Sequence, residues 1–401
     1  AGLRLPVVCV ALLSGVVGAQ FRHPGVLVSK DLLDGVRDQV SQGLDPAFSA
    51  FVAANTSSFA ALDYKPTPRP IVECGSYSHP DHGCSDEKRD ASAAYTHALL
   101  AWVTPDAGLR AIHWQLACNI LNSWSAVLQG HNNSNAPLQS AWVASTAVRA
   151  AEIVRALGST TTQSVCAFNE IQYKGMLKRA YLPEVIHGSH SNGNWELSMA
   201  EATVAMGVFL DDDTVFQQGL ALWRGRVPAY FYLTSDGPLP HPQPGEHPSK
   251  STLEKYWYDQ HKFVDGLCQE TCRDLGHVQY GFAAMINAAE TALCQGVDLF
   301  TEEQGRILPA IDFHANFLLG GAVPSWLCGG SLKSDGPKPT WEIALRTYAS
   351  RGLPMNELKQ LVEKIRPTGV DHHMDWETLT HGIVLNSTFK AKASVAGGWE
   401  K

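Results

Sequence analysis

The sequence predicts an all-α fold, an α/α toroid or an incomplete helical barrel, from three observations. From residue 108 onward, apolar residues recur at the three- and four-residue steps of helices. Strand-like alternation is scarce, and its best example is residues 230–234. The chain also lacks a βαβ rhythm, a glycine-rich phosphate loop, a GxSxG elbow and a short tandem repeat. The predicted helices are 108–128, 138–157, 165–181, 194–223, 267–294, 300–319 and 355–365.

Residues 1–19 have the pattern of a secretory signal peptide. Arg4 precedes an apolar run over 5–17, and Val17, Gly18 and Ala19 are the small residues that a signal peptidase prefers. The run is too short to span a membrane, and a buried N-terminal element is the alternative. We therefore expect a secreted, extracellular protein with a single domain over residues 20–401.

The cysteines agree with an oxidising compartment. Of the nine, Cys9 lies in the predicted signal peptide, which leaves an even number for a full disulfide framework. We expect all eight to be paired, and a bridge between Cys74 and Cys84 fits the turn-rich loop between them. Glycosylation sequons occur at Asn55, Asn132 and Asn386.

Charge limits the possible partners. The 31 basic and 39 acidic residues give a net charge of −8, and no run of lysine or arginine occurs. We therefore expect no nucleic-acid partner, and the apolar runs give no reason to expect a membrane partner. We also expect a monomer without a cofactor or metal. If the ligand is a polyanion, a local cationic pocket must oppose the overall field.

One stretch carries more functional groups than packing needs. Arg273, His277 and Tyr280 stand at i, i+4 and i+7, so in a continuous helix they share one face, and Glu270 extends the row. The alternative is a solvated helix face with a satisfied buried tyrosine. A loop at 187–198 and a long aromatic loop at 227–262 are candidate binding edges, or surface loops anchored by their aromatics.

Several blocks together resemble the alginate-lyase-domain polysaccharide lyases, which include alginate and glucuronan lyases. They run from about residue 70 to 385 and include CGSYSHPDHGCSDEKRDASAAYTHALL, YLPEVIHGSHSNGNWELSMAEA, WRGRVPAYFYLTSDG, QETCRDLGHVQYG and PSWLCGG. The resemblance implies an α/α toroid that cleaves an anionic polysaccharide, a 1,4-linked polyuronate, by β-elimination. Glucuronan is slightly favoured over alginate.

The resemblance also implies site residues. Arg273 and Tyr280 keep the family's seven-residue spacing, and Asn194 falls at its asparagine motif. The histidine of that motif is missing because Trp195 follows Asn194, so His277 is the candidate replacement. His241 and His247 are less favoured. The implied catalytic residues are Tyr280, His277, Arg273 and Asn194.

Elimination needs these residue types. A base removes H5 of the uronate, an acid protonates the leaving oxygen at C4, and donors neutralise the carboxylate as charge develops. Asn194 and His277 suit the carboxylate. Tyr280 can be both base and acid if Arg273 lowers its pKa. The candidate substrate-binding residues, each with an alternative packing role, are Lys88, Arg89, Gln139, Trp142, Trp195 and Trp257.

Three other interpretations remain open. A glycoside hydrolase would use Glu270 and Asp274, although two carboxylates on one helix face rarely straddle a sugar. A non-catalytic carbohydrate-binding protein would keep the aromatics alone. A metal-assisted lyase would use the cluster Asp371, His372, His373 and Asp375, for which a solvated turn is the favoured explanation.

Overall fold

A computed structural model describes residues 21–160 and 165–385, without the side chains of residues 77 and 160. The predicted signal peptide and the sequon at Asn386 lie outside these residues, whereas Asn55 and Asn132 are exposed. The helices are α1 Lys30–Ser41, α2 Ala47–Asn55, α3 Cys84–Val103, α4 Ala107–Val127, α5 Ala136–Thr160, α6 Glu170–Met176, α7 Leu182–Val185, α8 Gly193–Leu210, α9 Asp213–Tyr230, α10 Lys250–Tyr256, α11 Leu275–Cys294, α12 Leu299–Glu302, α13 Gln304–Leu318, α14 Glu342–Ser350, α15 Asn356–Ile365 and α16 Glu377–His381.

The helices form a ring, which confirms the predicted α/α toroid. Contacts between neighbours run from α3 through α5, α8, α11, α14, α16 and α1 and return to α3. Helices α4 and α9 pack outside α3 and α8. Helix α8 is buried on nearly every side, as expected for a helix that is apolar around most of its circumference. None of the helices in the described residues is long and apolar enough to cross a membrane.

Several predicted helix boundaries were wrong, and two of these helices border the site described below. The helix predicted over 194–223 is two helices, because Asp211 takes a left-handed backbone (φ 56°) and the Asp212 carboxylate caps α9 by accepting from Val215 N at 3.2 Å. The helix predicted from 267 begins at Leu275, because the Asp274 carboxylate accepts from His277 N at 2.8 Å. Residues 269–273 form turns before it.

The strands of the described residues are short and lie elsewhere than predicted. Residues 230–234 are not a strand, since Tyr230 ends α9 and Phe231 makes only an isolated bridge to Cys268. One sheet has β1 between β2, antiparallel to it, and β3, parallel to it, and β4 and β5 form an antiparallel hairpin. The strands are β1 Ile71–Cys74, β2 Asp81–His82, β3 Gly130–Asn132, β4 Val370–Asp371 and β5 Met374–Asp375.

The expectation that all eight cysteines are paired was wrong. Three disulfides join Cys74 to Cys84, Cys118 to Cys166 and Cys272 to Cys328. Cys268 and Cys294 are free. Cys268 precedes α11 and Cys294 is its last residue, so the 20 residues of the helix, roughly 30 Å long at 1.5 Å per residue, lie between them. An even number of cysteines therefore did not ensure that every one had a partner within reach.

The long loop is anchored by aromatic residues. A second small core under it contains Tyr232, Leu253, Trp257, Leu267 and Leu327. The alternative that this loop is fastened by its own aromatics is therefore correct for Tyr232 and Trp257, whose side chains are 3% and 1% exposed.

Candidate active site

A cleft of about 530 Å³ lies where α8 and α11 begin. It is bordered by the turn before α8, the first two turns of α11, and residues of α3, α5 and the β4–β5 hairpin. Three of the four predicted catalytic residues line it, namely Arg273, His277 and Tyr280. The predicted ligand contacts Lys88, Trp142 and Trp195 also line it.

Tyr280 lies on α11 among several polar groups. Its ring centroid is 6.0 Å from that of His277 and 5.0 Å from that of His372, and the Lys338 ammonium lies 5.4 Å from its centroid. Burial raises the pKa of Tyr280 to about 12, with the Asp371 carboxylate adding to this and Lys338 opposing it. The phenol therefore keeps its proton at neutral pH. The nearby cation is Lys338, whereas Arg273 had been expected in that position.

His277 is held by the carboxylate that caps its own helix. The Asp274 oxygens accept from the His277 backbone N–H at 2.8 Å and lie 2.9 and 2.7 Å from His277 Nδ1. Burial raises the pKa of Asp274, but the hydrogen bonds from His277 outweigh it and bring the pKa below its ordinary value. With Nδ1 donating to Asp274, the Nε2 of His277 is left for a ligand. We refer to these two residues as the Asp274–His277 pair.

A second such pair comes from the β4–β5 hairpin. His372 Nδ1 donates to the Asp371 carboxylate, and burial lowers the pKa of His372 despite that hydrogen bond. His372 occupies the first turn position with φ 58°, a conformation that favours glycine and is strained for histidine. Its ring contacts Trp142 at 4.4 Å between centroids. The Asp371–His372 pair therefore lies beside Tyr280, although the hairpin is distant from α11 in the sequence.

The interpretation of residues 371–375 as a solvated turn was wrong. His373 and Asp375 are buried, and His373 Nδ1 donates to Glu201 at 2.7 Å, while His372 lines the cleft. The tight turn sends neighbouring side chains to opposite sides. Within residues 21–160 and 165–385, no grouping of three or more histidine, cysteine or carboxylate side chains is suited to a metal ion.

Arg273 and Asn194 meet at a buried carboxylate. Glu270 accepts from Arg273 Nη1 at 2.7 Å, from Asn194 N at 3.0 Å and from Asn194 Nδ2 at 2.7 and 2.8 Å. Tyr230, packed closely against Gly193 and Gly281, donates to the same carboxylate at 2.9 Å. Asn194 is 1% exposed, so its amide ties the start of α8 to the turn before α11 and does not line the cleft.

Glu270 does not fit the glycoside hydrolase interpretation. Its side chain is fully buried and accepts hydrogen bonds from three other residues, whereas Asp274 lines the cleft. Arg273 uses one N–H group on Glu270. Its guanidinium carries further donors, and the side chain is 19% exposed at the cleft.

Lys88 lines the cleft near the charges of Asp81, Asp371 and Glu87, but none of these carboxylates lies within ion-pair distance of it. Its ammonium lies 5.6 Å from the Trp142 centroid, and no carboxylate of the described residues forms an ion pair with it. Burial lowers the pKa of Lys88, which a bound anion would oppose. Arg89 lines an adjoining pocket of about 220 Å³ that shares Lys88 and His372 with the cleft, and it pairs with Asp86 at 2.9 Å.

Two predicted ligand contacts, Gln139 and Trp257, do not line the cleft. Gln139 is fully buried and donates to Cys84 O at 2.9 Å and Glu87 Oε2 at 2.8 Å. Trp257 belongs to the small core under the long loop. Both residues have the packing role that the sequence analysis gave as the alternative to substrate binding.

Lys338, Asp335 and His372 were missed as site residues. Lys338 pairs with Asp335 at 2.7 Å and with Asp371 at 3.3 Å, which links the segment before α14 to the hairpin. The cluster around Asp371 was a usable sequence signal for His372. No local sequence pattern indicated Lys338, because Lys338 and Tyr280 are distant in the chain and come together only in the folded helical ring.

Comparisons with known proteins bear on the fold and the family. Residues 75–323 match the family model described as alginate lyase. A comparison with curated protein sequences finds no significant match. Alginate lyase A1-III from Sphingomonas species A1 is 18% identical, with 82% of this chain and 89% of that chain covered and a TM-score of 0.52.

Two variants of that enzyme are also similar. The histidine-to-alanine variant complexed with a tetrasaccharide is 17% identical, with 82% and 89% of the two chains covered and a TM-score of 0.54. The tyrosine-to-phenylalanine variant complexed with a tetrasaccharide is 17% identical, with 87% and 93% covered and a TM-score of 0.54. At these identities the structures establish a shared fold.

Proposed function

The chain belongs to the alginate lyase family and is a polysaccharide lyase, and we propose that it cleaves a 1,4-linked polyuronate by β-elimination. The observation that carries this proposal is Tyr280 between the Asp274–His277 and Asp371–His372 pairs in a cleft that also presents Lys88 and Arg273. The tetrasaccharide complexes of the similar alginate lyase variants support an oligosaccharide ligand.

The charge of the cleft supports an anionic substrate. The protein carries a net charge of −8, so a polyanion is attracted only where cations gather. Lys88 has no ion-pair partner among the described residues, and Arg273 retains donors beyond its bond to Glu270. Trp142 and Trp195 offer flat apolar faces for sugar rings.

The pKa values of Tyr280 and His372 assign the two proton transfers to different residues. Tyr280 keeps its proton, so the phenol protonates the leaving oxygen at C4. His372, neutral because burial lowers its pKa, takes H5 through Nε2. The C5–H and C4–O bonds break, a C4–C5 double bond forms, and the imidazolium returns its proton to the phenolate. This differs from the hypothesis of a tyrosine that is both base and acid.

The carboxylate beside H5 must be neutralised as negative charge develops on it. We assign this to Arg273, Lys88 and the free Nε2 side of His277, since all three side chains line the cleft. Asn194 acts through Glu270, whose carboxylate it shares with Arg273, and so positions the guanidinium.

We propose β-1,4-glucuronan ahead of alginate as the polymer. In glucuronan H5 and the oxygen at C4 lie on the same side, and the His372 and Tyr280 rings, 5.0 Å apart, suit that arrangement. Mannuronate stretches of alginate present the same geometry and are the main competitor.

The test is incubation with polyglucuronate, polymannuronate and their carboxyl-reduced forms, with ultraviolet absorbance of the unsaturated end as the readout. We expect absorbance from the polyuronates, strongest with polyglucuronate, and none from the reduced polymers, because H5 then loses its acidifying neighbour. Reducing ends without absorbance would indicate a hydrolase and contradict the proposal.

We also propose that the protein is secreted after removal of residues 1–19. The three disulfides suit an oxidising compartment. N-terminal sequencing of protein from the culture medium tests this, and a start at residue 20 is expected.

A further inference from the structure

A recess of about 520 Å³ lies beside the cleft and is formed by two chain segments. Residues 258–262 of the long loop form one wall, and residues 325–329 form the other. The second wall lies beyond residues 75–323, the part of the chain that matches the family model.

Hydrogen bonds of a buried glutamine and a disulfide connect the two walls of the recess. Gln260 is 4% exposed, and its Nε2 donates to Lys262 O at 2.6 Å and to Trp326 O at 3.3 Å. Its Oε1 accepts from Cys328 N at 3.1 Å, and Cys328 is in turn bridged to Cys272. One amide and one disulfide thus hold both walls, so a ligand meets a surface that is already ordered.

The recess presents a cation beside an aromatic face. The Lys262 ammonium lies 4.8 Å from the Trp326 ring centroid. Lys262 is exposed and has no carboxylate partner within ion-pair distance in the described part of the chain. A uronate unit has the complementary features, an apolar ring face that stacks on indole and a carboxylate that pairs with ammonium.

The recess and the cleft are lined by neighbouring residues. Cys272 lines the recess and its neighbour Arg273 lines the cleft. Tyr258 lines the recess, and burial raises its pKa while the charge of Arg273 and a hydrogen bond with the cleft residue Asn192 oppose the rise. Arg273 and Tyr258 therefore mark the place where the cleft and the recess adjoin.

We propose that this recess is an additional subsite that binds uronate units remote from the cleaved bond, with Trp326 as stacking platform and Lys262 as carboxylate partner. The inference rests on the proposed polyuronate substrate. It predicts that long chains gain affinity that short fragments do not.

The experiment compares Trp326→Ala, Trp326→Phe and Lys262→Gln, with Lys250→Gln as the matched control for an exposed lysine outside the recess. On long polyuronate we expect Trp326→Ala to raise KM about fivefold with kcat unchanged, in keeping with a lost stacking contact. Lys262→Gln should raise KM about twofold and lose the salt dependence that this charge contributes. Trp326→Phe retains a flat face and should stay near wild type.

On the shortest fragments that the wild type cleaves, all four variants should match the wild type. An unchanged KM on long chains, or the same rise on short and long substrates, would overturn the inference. Lys262→Gln changes only an exposed side chain, so it tests the subsite even if Trp326→Ala fails to fold.

The outcome is separable from that of the proposed function. If the wild type produces unsaturated ends and the variants keep its KM on long chains, the subsite is wrong and the lyase assignment stands. If the wild type produces none from any polyuronate, the proposed function fails. Binding of long polyuronate is then compared in wild type and Lys262→Gln, and equal affinity also removes the subsite.

Discussion

The residues around Tyr280 determine which part of the proposed proton transfer it can perform. Its spacing from Arg273 was visible in the sequence, but the charges that set its pKa are those of Asp371 and Lys338. Burial dominates, so the phenol is a proton donor at neutral pH. The imidazole of His372, whose ring centroid lies 5.0 Å away, has a pKa lowered by burial and is therefore the proposed base.

Replacing Tyr280 by phenylalanine removes the proposed proton donor and leaves the ring. We expect kcat to fall by about 10² to 10⁴, the usual contribution of general acid–base catalysis, with little change in polymer binding. Initial rates of unsaturated-end formation and a direct binding assay measure the two effects. Tyr232→Phe, which loses a bond of 2.6 Å to Gly237 O in the long loop, is the control. Near-normal activity of Tyr280→Phe would exclude the proposed role.

His372 predicts the acid side of the pH profile. As a base it must be unprotonated, and its pKa lies below the ordinary 6.5, so kcat/KM should persist into mildly acid pH and fall as pH drops through the lowered pKa. His372→Gln should lower kcat by about 10²-fold or more and lose this acid limb. The rate–pH profile from pH 4 to 8 measures both.

His241→Gln is the control, since His241 lies on the long loop and pairs with Asp236 at 3.2 Å. It was also a less favoured candidate for the missing histidine. An acid limb that survives in His372→Gln but disappears in His241→Gln would reverse the assignment.

At the scale of one element, the start of α11 determines how His277 and Tyr280 are placed in the site. The same Asp274 carboxylate caps the helix and holds the ring of His277, so helix geometry and imidazole orientation depend on one residue. Once the helix begins at Leu275, His277 and Tyr280 lie three residues apart on one face. Arg273 stays on the preceding turn and reaches Glu270.

Asp274→Ala should therefore lower both stability and activity. Loss of an N-cap costs about 1 kcal/mol of unfolding free energy, and the freed imidazole should lower kcat. Asp274→Asn keeps an acceptor for the cap, so stability should be nearly retained while activity falls. Denaturant unfolding and initial rates separate the two effects.

Asp106→Ala is the matched control, because Asp106 caps α4 with a bond of 2.8 Å to Leu109 N outside the cleft. It should lose similar stability without losing activity. If Asp106→Ala reduced kcat as much as Asp274→Ala, the effect of Asp274 would be one of stability alone.

At the scale of the whole molecule, the ring brings together residues that are distant in the chain. The turn before α8, the start of α11, the segment before α14 and the β4–β5 hairpin meet around Tyr280. The disulfide between Cys272 and Cys328 fastens one side of this arrangement. Six of the eight described cysteines form disulfides, and two are free.

Peptide mapping should identify Cys268 and Cys294 as the unpaired cysteines. Alkylation of the denatured, unreduced protein should label these two, and the other six described cysteines should be labelled only after reduction. In the native protein labelling should be slow, because burial raises the pKa of both thiols and suppresses the thiolate. Label on Cys272 or Cys328 without reduction would contradict the bridge beside the recess.

The sequence by itself determined the helical class and the spacing of His277 and Tyr280 on α11. Apolar spacing is a local property, and so is the distance between these two residues, which one helical turn sets, whereas Arg273 lies on the turn before the helix. Trp142, Trp195 and Lys88 were also predictable as candidates, since their blocks carry the family resemblance. The helix that ends before Asp211 is shorter than apolar spacing indicated, and the helix that follows Asp274 begins later, because capping depends on side-chain geometry.

Only the tertiary structure decided which groups meet. Closure of the helical ring places His372 and Lys338 against Tyr280, buries Glu270 between Arg273 and Asn194, and leaves Gln139 and Trp257 in the interior. It also separates Cys268 from Cys294 by the length of α11. These outcomes depend on long-range packing of one helix against another, which fixes distances that no local spacing contains.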